Sequence, residues 1–303
     1  MTQIDHRMTQ PLHGVLIIDK PSGLTSHDVV ARARRIFKQR AVGHLGTLDP
    51  LATGVLPLVL GNMTRLAQFY LKAEKSYEGA IRFGFATDTY DAEGEPVGEP
   101  TDPTLDLEHV RGLAGKFRGV IEQTPPPFSA KKIQGVPAYK LARKKKEVPL
   151  QPVRVEIKEF ELLELDGARV RFRARVASGT YVRSIADELG QTAGCGAHLE
   201  SLCRTAVAEF TLSDAHRLEE LEQVLLNQGF PEEIFVHPRK LLPSLPSVTA
   251  TDEIAGRIRH GQAVNLPDVS RSPYVKVFQG QRDLIAIASR VAGTLFHPKI
   301  VLG

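Results

Sequence analysis

Apolar and polar positions change period several times along the 303-residue chain, and each change predicts an element. Residues 14–20 (GVLIIDK) form a continuous apolar run closed by Asp-Lys-Pro, the pattern of a buried strand entering a turn. A helix is predicted next. Thr25 or Ser26 can cap it, Val29, Val30, Ala33, Ile36 and Phe37 share one apolar face, and Arg32, Arg35 and Lys38 point elsewhere. VLPLVLG at 55–61 reads as a second buried strand, and YEGAIRFGFAT at 77–87 as a third that runs into the acidic turn DTYDAEGEP. Residues 105–117 carry a helical pattern, which the proline triplet 125–127 ends.

From 154 to 182 the sequence returns to strands. In ARVRFRARVAS, Val170, Phe172, Ala174 and Val176 alternate with Arg169, Arg171, Arg173 and Arg175 at a period of two. One face of that strand is core, and the other is an arginine ladder, either paired within the protein or open to phosphate. Short helices are predicted at 184–190 and 218–227, and LLPSLPSV at 241–248 reads as a linker. Beyond it, DEIAGRIRHGQAV, VKVFQGQ and DLIAIASRV predict a small, mostly β module.

The length suits one large domain and a small one, since single cores stop growing near ~250–300 residues. The longest uncharged stretch, 50–64, is broken by Gly54, Pro57, Gly61 and Asn62 and is too short to span a bilayer, so no membrane partner is expected. The N-terminal residues lack an apolar signal core and only Cys195 and Cys203 are present, which makes the cytoplasm the expected compartment. Neither cysteine reads as a metal ligand, because only His198 lies between them. A net charge of +4 and a pI near 9.0 permit a nucleic-acid partner without requiring one. The distribution says more. Seven Lys or Arg and no Asp or Glu lie between 131 and 146, either a solvated charged face or a contact to an anion.

The candidate for chemistry is Asp49, the one carboxylate of GHLGTLDPLATG at 43–54, where His44 is the only other titratable group. Such an apolar loop is seldom a plain solvated connector, although Asp-Pro also opens turns and Asp caps helices. By spacing alone both readings stand.

This run resembles the active-site segment of the TruB-type pseudouridine synthase family, which modifies the T-loop of tRNA. DKPSGLTS (19–26), KSYEGAIRFGFATDTYDAEG (75–94), PPFSAKKIQGVPAYKLAR (126–143) and GTYVRSIADELG (179–190) are similar to further family signatures in the expected order, so that the resemblance covers residues 12–212. It implies an α+β chain with the pseudouridine synthase fold, a mixed, mostly antiparallel sheet flanked by helices. The catalytic domain would span 1–243, with a basic RNA-clamping insertion at 124–152, and a small PUA-type RNA-binding domain would span 244–303.

The resemblance also implies roles. Asp49 is the nucleophile, and Arg183 is the cation that keeps it ionised and oriented, a task suited to a planar guanidinium. Tyr77 is the active-site tyrosine, stacking on the target base or taking a ribose proton. His44 occupies the space left by the extruded base, and Tyr181, expected two residues from Arg183 on one strand face, stacks or positions. Lys20 gives structural support or a phosphate contact. Leu202 packs against the base, while Cys203 stands where the pattern expects a more polar residue. Lys131, Lys132, Lys140, Arg143, Lys144, Lys145 and Lys146 would clamp the T-stem-loop.

Pseudouridine formation is a redox-neutral isomerisation, so no cofactor and no metal are expected, and neither a P-loop nor a GxGxxG opening a βαβ unit is present. Only one acid is prominent where a glycosidase would offer two. The expected partner is tRNA, bound by a monomer with no obligatory protein partner. Two alternatives remain: a non-catalytic tRNA-binding or folding protein, for which GHLG at 43–46 is a poor KH-type match, and a guide-RNA-dependent synthase, which the complete basic arm disfavours.

Overall fold

The computed structural model describes residues 11–129, 131–133, 135–138, 141, 150–228 and 232–303. Its larger sheet has nine strands. The path is β1 (Gly14–Lys20), β3 (Thr53–Leu60), β12 (Ala197–Val207), β4 (Lys75–Phe83), β11 (Arg169–Val176), β10 (Val153–Asp166) and β7 (Gly119–Gln123), with β2 (Val42–His44) on β3 and β13 (Phe210–Thr211) on β12. Among the described residues of this sheet only β3 and β12 pair in parallel, so the sheet is mixed and mostly antiparallel. β5 (Ala86–Thr87) with β6 (Pro96–Val97), and β8 (Lys132–Ile133) with β9 (Val136–Pro137), form separate two-stranded ribbons.

Helices α1 (Ser26–Ile36), α2 (Ala67–Tyr70), α3 (Leu107–Ala114), α4 (Val182–Ala193) and α5 (Leu218–Gln228) accompany this sheet. A second sheet, β14 (Ser247–Ala250), β16 (Tyr274–Gln279), β17 (Asp283–Ala292), β18 (Leu295–Val301) and β15 (Val264–Asn265), packs with α6 (Asp252–Arg259).

The continuous apolar run of β1 follows from burial on both sides. Leu16 and Ile18 join the cluster that packs under α1 and α4, whereas Val15 and Ile17 join a second cluster shared with Phe278, Ile287 and Ile300 of the C-terminal sheet. The α1 face closes on the first cluster through Val29, Val30, Ala33 and Phe37, and Thr25 forms a reciprocal capping box with Asp28.

Three expectations change and a fourth, open between two readings, is decided. The stretch 241–248 is a fixed junction: Leu241 and Leu242 are buried in the shared cluster, and the Leu242 amide donates to Glu209 Oε1 at 2.8 Å. Residues 154–182 are not all strand. Gly179 has φ +93°, the strand ends at Val176, and the 3.6-residue period of VRSIADEL starts a helix at Val182 that runs on to Ala193. Between α3 and the prolines lies an unforeseen strand, β7, whose mixed sequence GVIEQ borrows its pairing from β10. The arginine ladder is paired: Arg169 with Glu200, Arg171 with Glu164, Arg173 with Glu78, and Arg175 with Glu159.

Candidate active site

Residues 45–52 link β2 to β3 and form a loop held from three sides. From α1, Ser26 Oγ accepts from the Leu48 amide at 2.8 Å and donates to the Leu48 carbonyl at 3.1 Å. From the β1 turn, the Gly23 amide donates to Pro50 O at 2.9 Å and Lys20 Nζ reaches the same oxygen at 3.2 Å. From β12, Arg204 donates to Gly46 O at 3.0 Å, Thr47 O at 3.1 Å and Val55 O at 2.8 Å. The segments DKPSGLTS and SLCRT are thus a cradle for the loop that presents Asp49. At Gly54, φ is +96° and a Cβ would stand 2.4 Å from Arg204 O, so only glycine lets β3 and β12 meet there.

Opposite this loop, Ser178 to Arg183 enter the first turn of α4, the positive end of the helix dipole, and line the same cavity of about 240 Å³. Gln123 fixes the approach: its side-chain amide donates to Tyr181 O at 3.0 Å and accepts from the Tyr181 amide at 2.8 Å. Arg183 Nε lies 2.9 Å from Asp49 Oδ2. The Arg183 side chain is 5% exposed and that of Asp49 39%, so the cation is locked while the carboxylate still faces the cavity. The remaining guanidinium nitrogens are held by Thr89 O at 3.0 Å, Phe128 O at 2.9 Å and Asp91 Oδ2 at 3.3 Å. Segments 75–94, 126–143 and 179–190, far apart in sequence, meet at this one guanidinium.

Tyr77 on β4 and Leu202 on β12 line the cavity with Asp49, both nearly buried. Burial raises the Tyr77 phenol, with Arg204 opposing, which keeps the hydroxyl protonated near neutral pH. Tyr181 lines the cavity too, but as the N-cap that precedes α4 rather than as a strand neighbour of Arg183; its phenol is likewise raised by burial. His44 ends β2 outside the cavity lining, and burial lowers its imidazole. The Gly46 amide donates to its Nδ1 at 3.3 Å, leaving the ring proton on Nε2.

Lys20 is fully buried. Its ammonium donates to Pro21 O, Leu24 O and Pro50 O, using all three protons, so it supports the loop and has none left for a phosphate contact. Lys131 donates to Gln151 O at 3.2 Å and Lys132 lies in β8. Lys140, Arg143, Lys144, Lys145 and Lys146 lie outside the described residues.

Two charged residues escaped the sequence reading. Asp91, hidden among Asp88, Glu93 and Glu95 of an apparently solvated turn, is 3% exposed and pairs with Arg183 outside the cavity lining. Arg204 is wholly buried, and the mixed strand AHLESLCRTAV, which also carries His198, Glu200, Ser201 and Thr205, gives no local signal that marks it.

A TruB family pseudouridylate synthase N-terminal model matches residues 34–182, and a tRNA pseudouridylate synthase B C-terminal model matches 183–245. The chain belongs to the TruB family of pseudouridine synthases. The tRNA pseudouridine synthase B of Solibacter usitatus is 48% identical over 294 residues, covering 96% of this chain and all of that protein. The Aquifex aeolicus protein of the same name is 38% identical over 293 residues, with the same coverage. Among solved structures, a Cbf5-Nop10-Gar1 complex matches at 26% identity and a TM-score of 0.71, over 96% of this chain and 85% of that one. The match to these relatives therefore extends over both sheets, whereas the two family models end at 245, before the second sheet begins. The join between the two family models, at 182 and 183, falls where α4 begins, while β12 returns into the same sheet as β1, β3, β4, β7, β10 and β11.

Proposed function

We propose that this chain isomerises the T-loop uridine of tRNA, uridine 55, to pseudouridine. The observation that carries the reading is the Asp49 carboxylate, open to a nucleoside-scale cavity and held by the buried Arg183, in a member of the TruB family. The base is extruded from the folded T-loop, at an unstacking cost of a few kcal/mol. Asp49 attacks the nucleotide, the bond from N1 to C1′ breaks, the base turns, C5 bonds to C1′, and the bond to Asp49 breaks to return the free carboxylate. The C5 proton leaves and N1 gains one, so the product is an isomer.

In this reading Arg183 keeps Asp49 anionic and aimed, Tyr77 stacks on the base as a neutral phenol, and Leu202 and Tyr181 confine it. His44 fills the space the base leaves, and Lys20 stiffens the loop from behind. The segment 124–152, with Lys131, Lys132, Lys140, Arg143, Lys144, Lys145 and Lys146, grips the T-stem-loop. Residues 244–303 act as a PUA-like RNA-binding module that extends the contact toward the acceptor end. The enzyme works as a monomer, without a cofactor or an obligatory protein partner.

The likeness to a Cbf5 complex suggests a guide-RNA-dependent reading, but relatives 38–48% identical along nearly the whole chain carry the tRNA enzyme's name, which favours the stand-alone one. The test is tritium release from a bare tRNA transcript bearing 5-tritiated uridine. Release by the purified wild type, lost with Asp49→Asn or when the target uridine is replaced by cytidine, supports the proposal. A folded, RNA-binding wild type that releases no tritium overturns it.

A further inference from the structure

Lys75 opens β4 two residues before Tyr77, so the two side chains leave the same face of the strand, and both line the cavity. They sit at different depths. Tyr77 is 7% exposed, whereas Lys75 is only half-buried, which puts the ring toward the floor and the ammonium toward the mouth. The lysine stem runs beneath the Asp49 loop: a Cβ on Gly46, whose φ is +124°, would approach Lys75 Cε to 3.3 Å. Nζ donates to Ala73 O at 2.9 Å and so spends one of its three protons. No carboxylate among the described residues lies within ion-pair distance of it.

This cation is therefore aimed, half-desolvated and without an anion. Burial, and secondarily the nearby Arg204, lower its amine to about 8, so it is still charged at pH 7. A substrate that supplies an anion at that place offsets the charge. When a nucleotide is extruded, its base enters the pocket while its phosphodiester, charged and continuous with the RNA outside, stays at the mouth.

We infer that Lys75 binds a phosphodiester oxygen flanking the extruded uridine, forming a phosphate subsite at the rim of the cavity. The subsite rests on the reading that the chain takes T-loop RNA. It divides the work between neighbours on one strand face, the base to Tyr77 and its backbone to Lys75.

The test uses the full chain carrying Asp49→Asn, a variant expected to hold RNA without turnover, and a T-stem-loop RNA. Adding Lys75→Met should weaken binding about 10-fold and reduce the salt slope by ~0.7, the value of one single-stranded phosphate contact. Lys75→Arg should recover most of the affinity. A neutral methylphosphonate at one of the two linkages flanking the target should weaken the Lys75 protein by a similar factor and the Lys75→Met protein hardly at all. In an otherwise wild-type chain, Lys75→Met should raise the RNA concentration that half-saturates the single-turnover rate in step with its loss of affinity. If neither methylphosphonate alters binding to the Lys75 protein, or if Lys75→Met lowers the saturated rate with the salt slope intact, the phosphate subsite is wrong. The first result is independent of how the Met variant folds. Tritium release by wild type on the same RNA reports separately on the parent proposal.

Discussion

Nη1 of Arg183 lies 3.3 Å from Oδ2 of Asp91, and their side chains are equally hidden, at 5% and 4% exposed. Asp91 is in turn fixed, since its Oδ1 accepts from Thr89 Oγ1 at 2.6 Å and from the Glu93 amide at 3.1 Å. The guanidinium thus stands between a buried acid that cannot move and the half-exposed Asp49 that faces the cavity.

Asp91→Asn keeps the shape but removes the charge that anchors Arg183. The expected outcome is a single-turnover rate lowered on the order of 100-fold, with RNA affinity within ~3-fold of wild type, because the lost interaction serves the aim of Asp49 and not the RNA contact. Rapid-quench kinetics beside equilibrium binding separate the two. A loss confined to affinity would contradict the anchoring role.

Arg204 ties β12 to the Asp49 loop through the Gly46 and Thr47 carbonyls and to β3 through that of Val55. Arg204→Lys keeps the charge yet cannot span Val55, Thr47 and Gly46 together, so stability should fall by about 3 kcal/mol, lowering Tm by ~6–12 °C. At a temperature where the variant is folded, the rate should drop while the dissociation constant stays near wild type. Calorimetry with single-turnover kinetics checks both parts.

Asp187 lies one helical turn after Arg183 and is 4% exposed, with Gln191 Nε2 donating to it at 2.6 Å. Burial pushes its carboxyl from the usual 3.8 up to about 6. Between those values the folded chain holds more protons at this site than the unfolded one. Stability therefore falls as pH rises from 4 to 6, and the cost is fully present above 6. Asp187→Asn should raise stability at pH 7.5 on the order of 1 kcal/mol after allowance for solvent screening, and the gain should vanish by pH 4. Thermal melts at both pH values test this, and an offset that is the same at each would refute the assignment.

Lys144 and Lys145 belong to the basic run of the sequence and lie outside the described residues. Their joint replacement by alanine should weaken tRNA binding and flatten its salt dependence by ~1–2 in slope, whereas Asp49→Asn should abolish turnover with little loss of affinity. Equal loss of affinity in both proteins would contradict this division between gripping and chemistry.

What the sequence determined by itself was local or shared with relatives. Alternation made Arg169 to Val176 a strand, the apolar run made 14–20 a buried one, and capping chemistry started a helix at Ser26, because these follow from neighbours a few residues apart. Resemblance to the TruB family picked out Asp49, Arg183, Tyr77 and Leu202, which meet around one cavity. The tertiary structure decided what depends on partners distant in the chain. Asp91 reads as one more acid in a polar turn until Arg183, 92 residues on, is brought against it, and Lys20 reads as a surface lysine until the Asp49 loop closes over its ammonium. GVIEQ has no strand signal of its own and pairs only because β10 lies alongside. Whether a charge is buried, paired or left for a ligand is set by low-dielectric surroundings that the whole fold assembles, and no local pattern of residues encodes them.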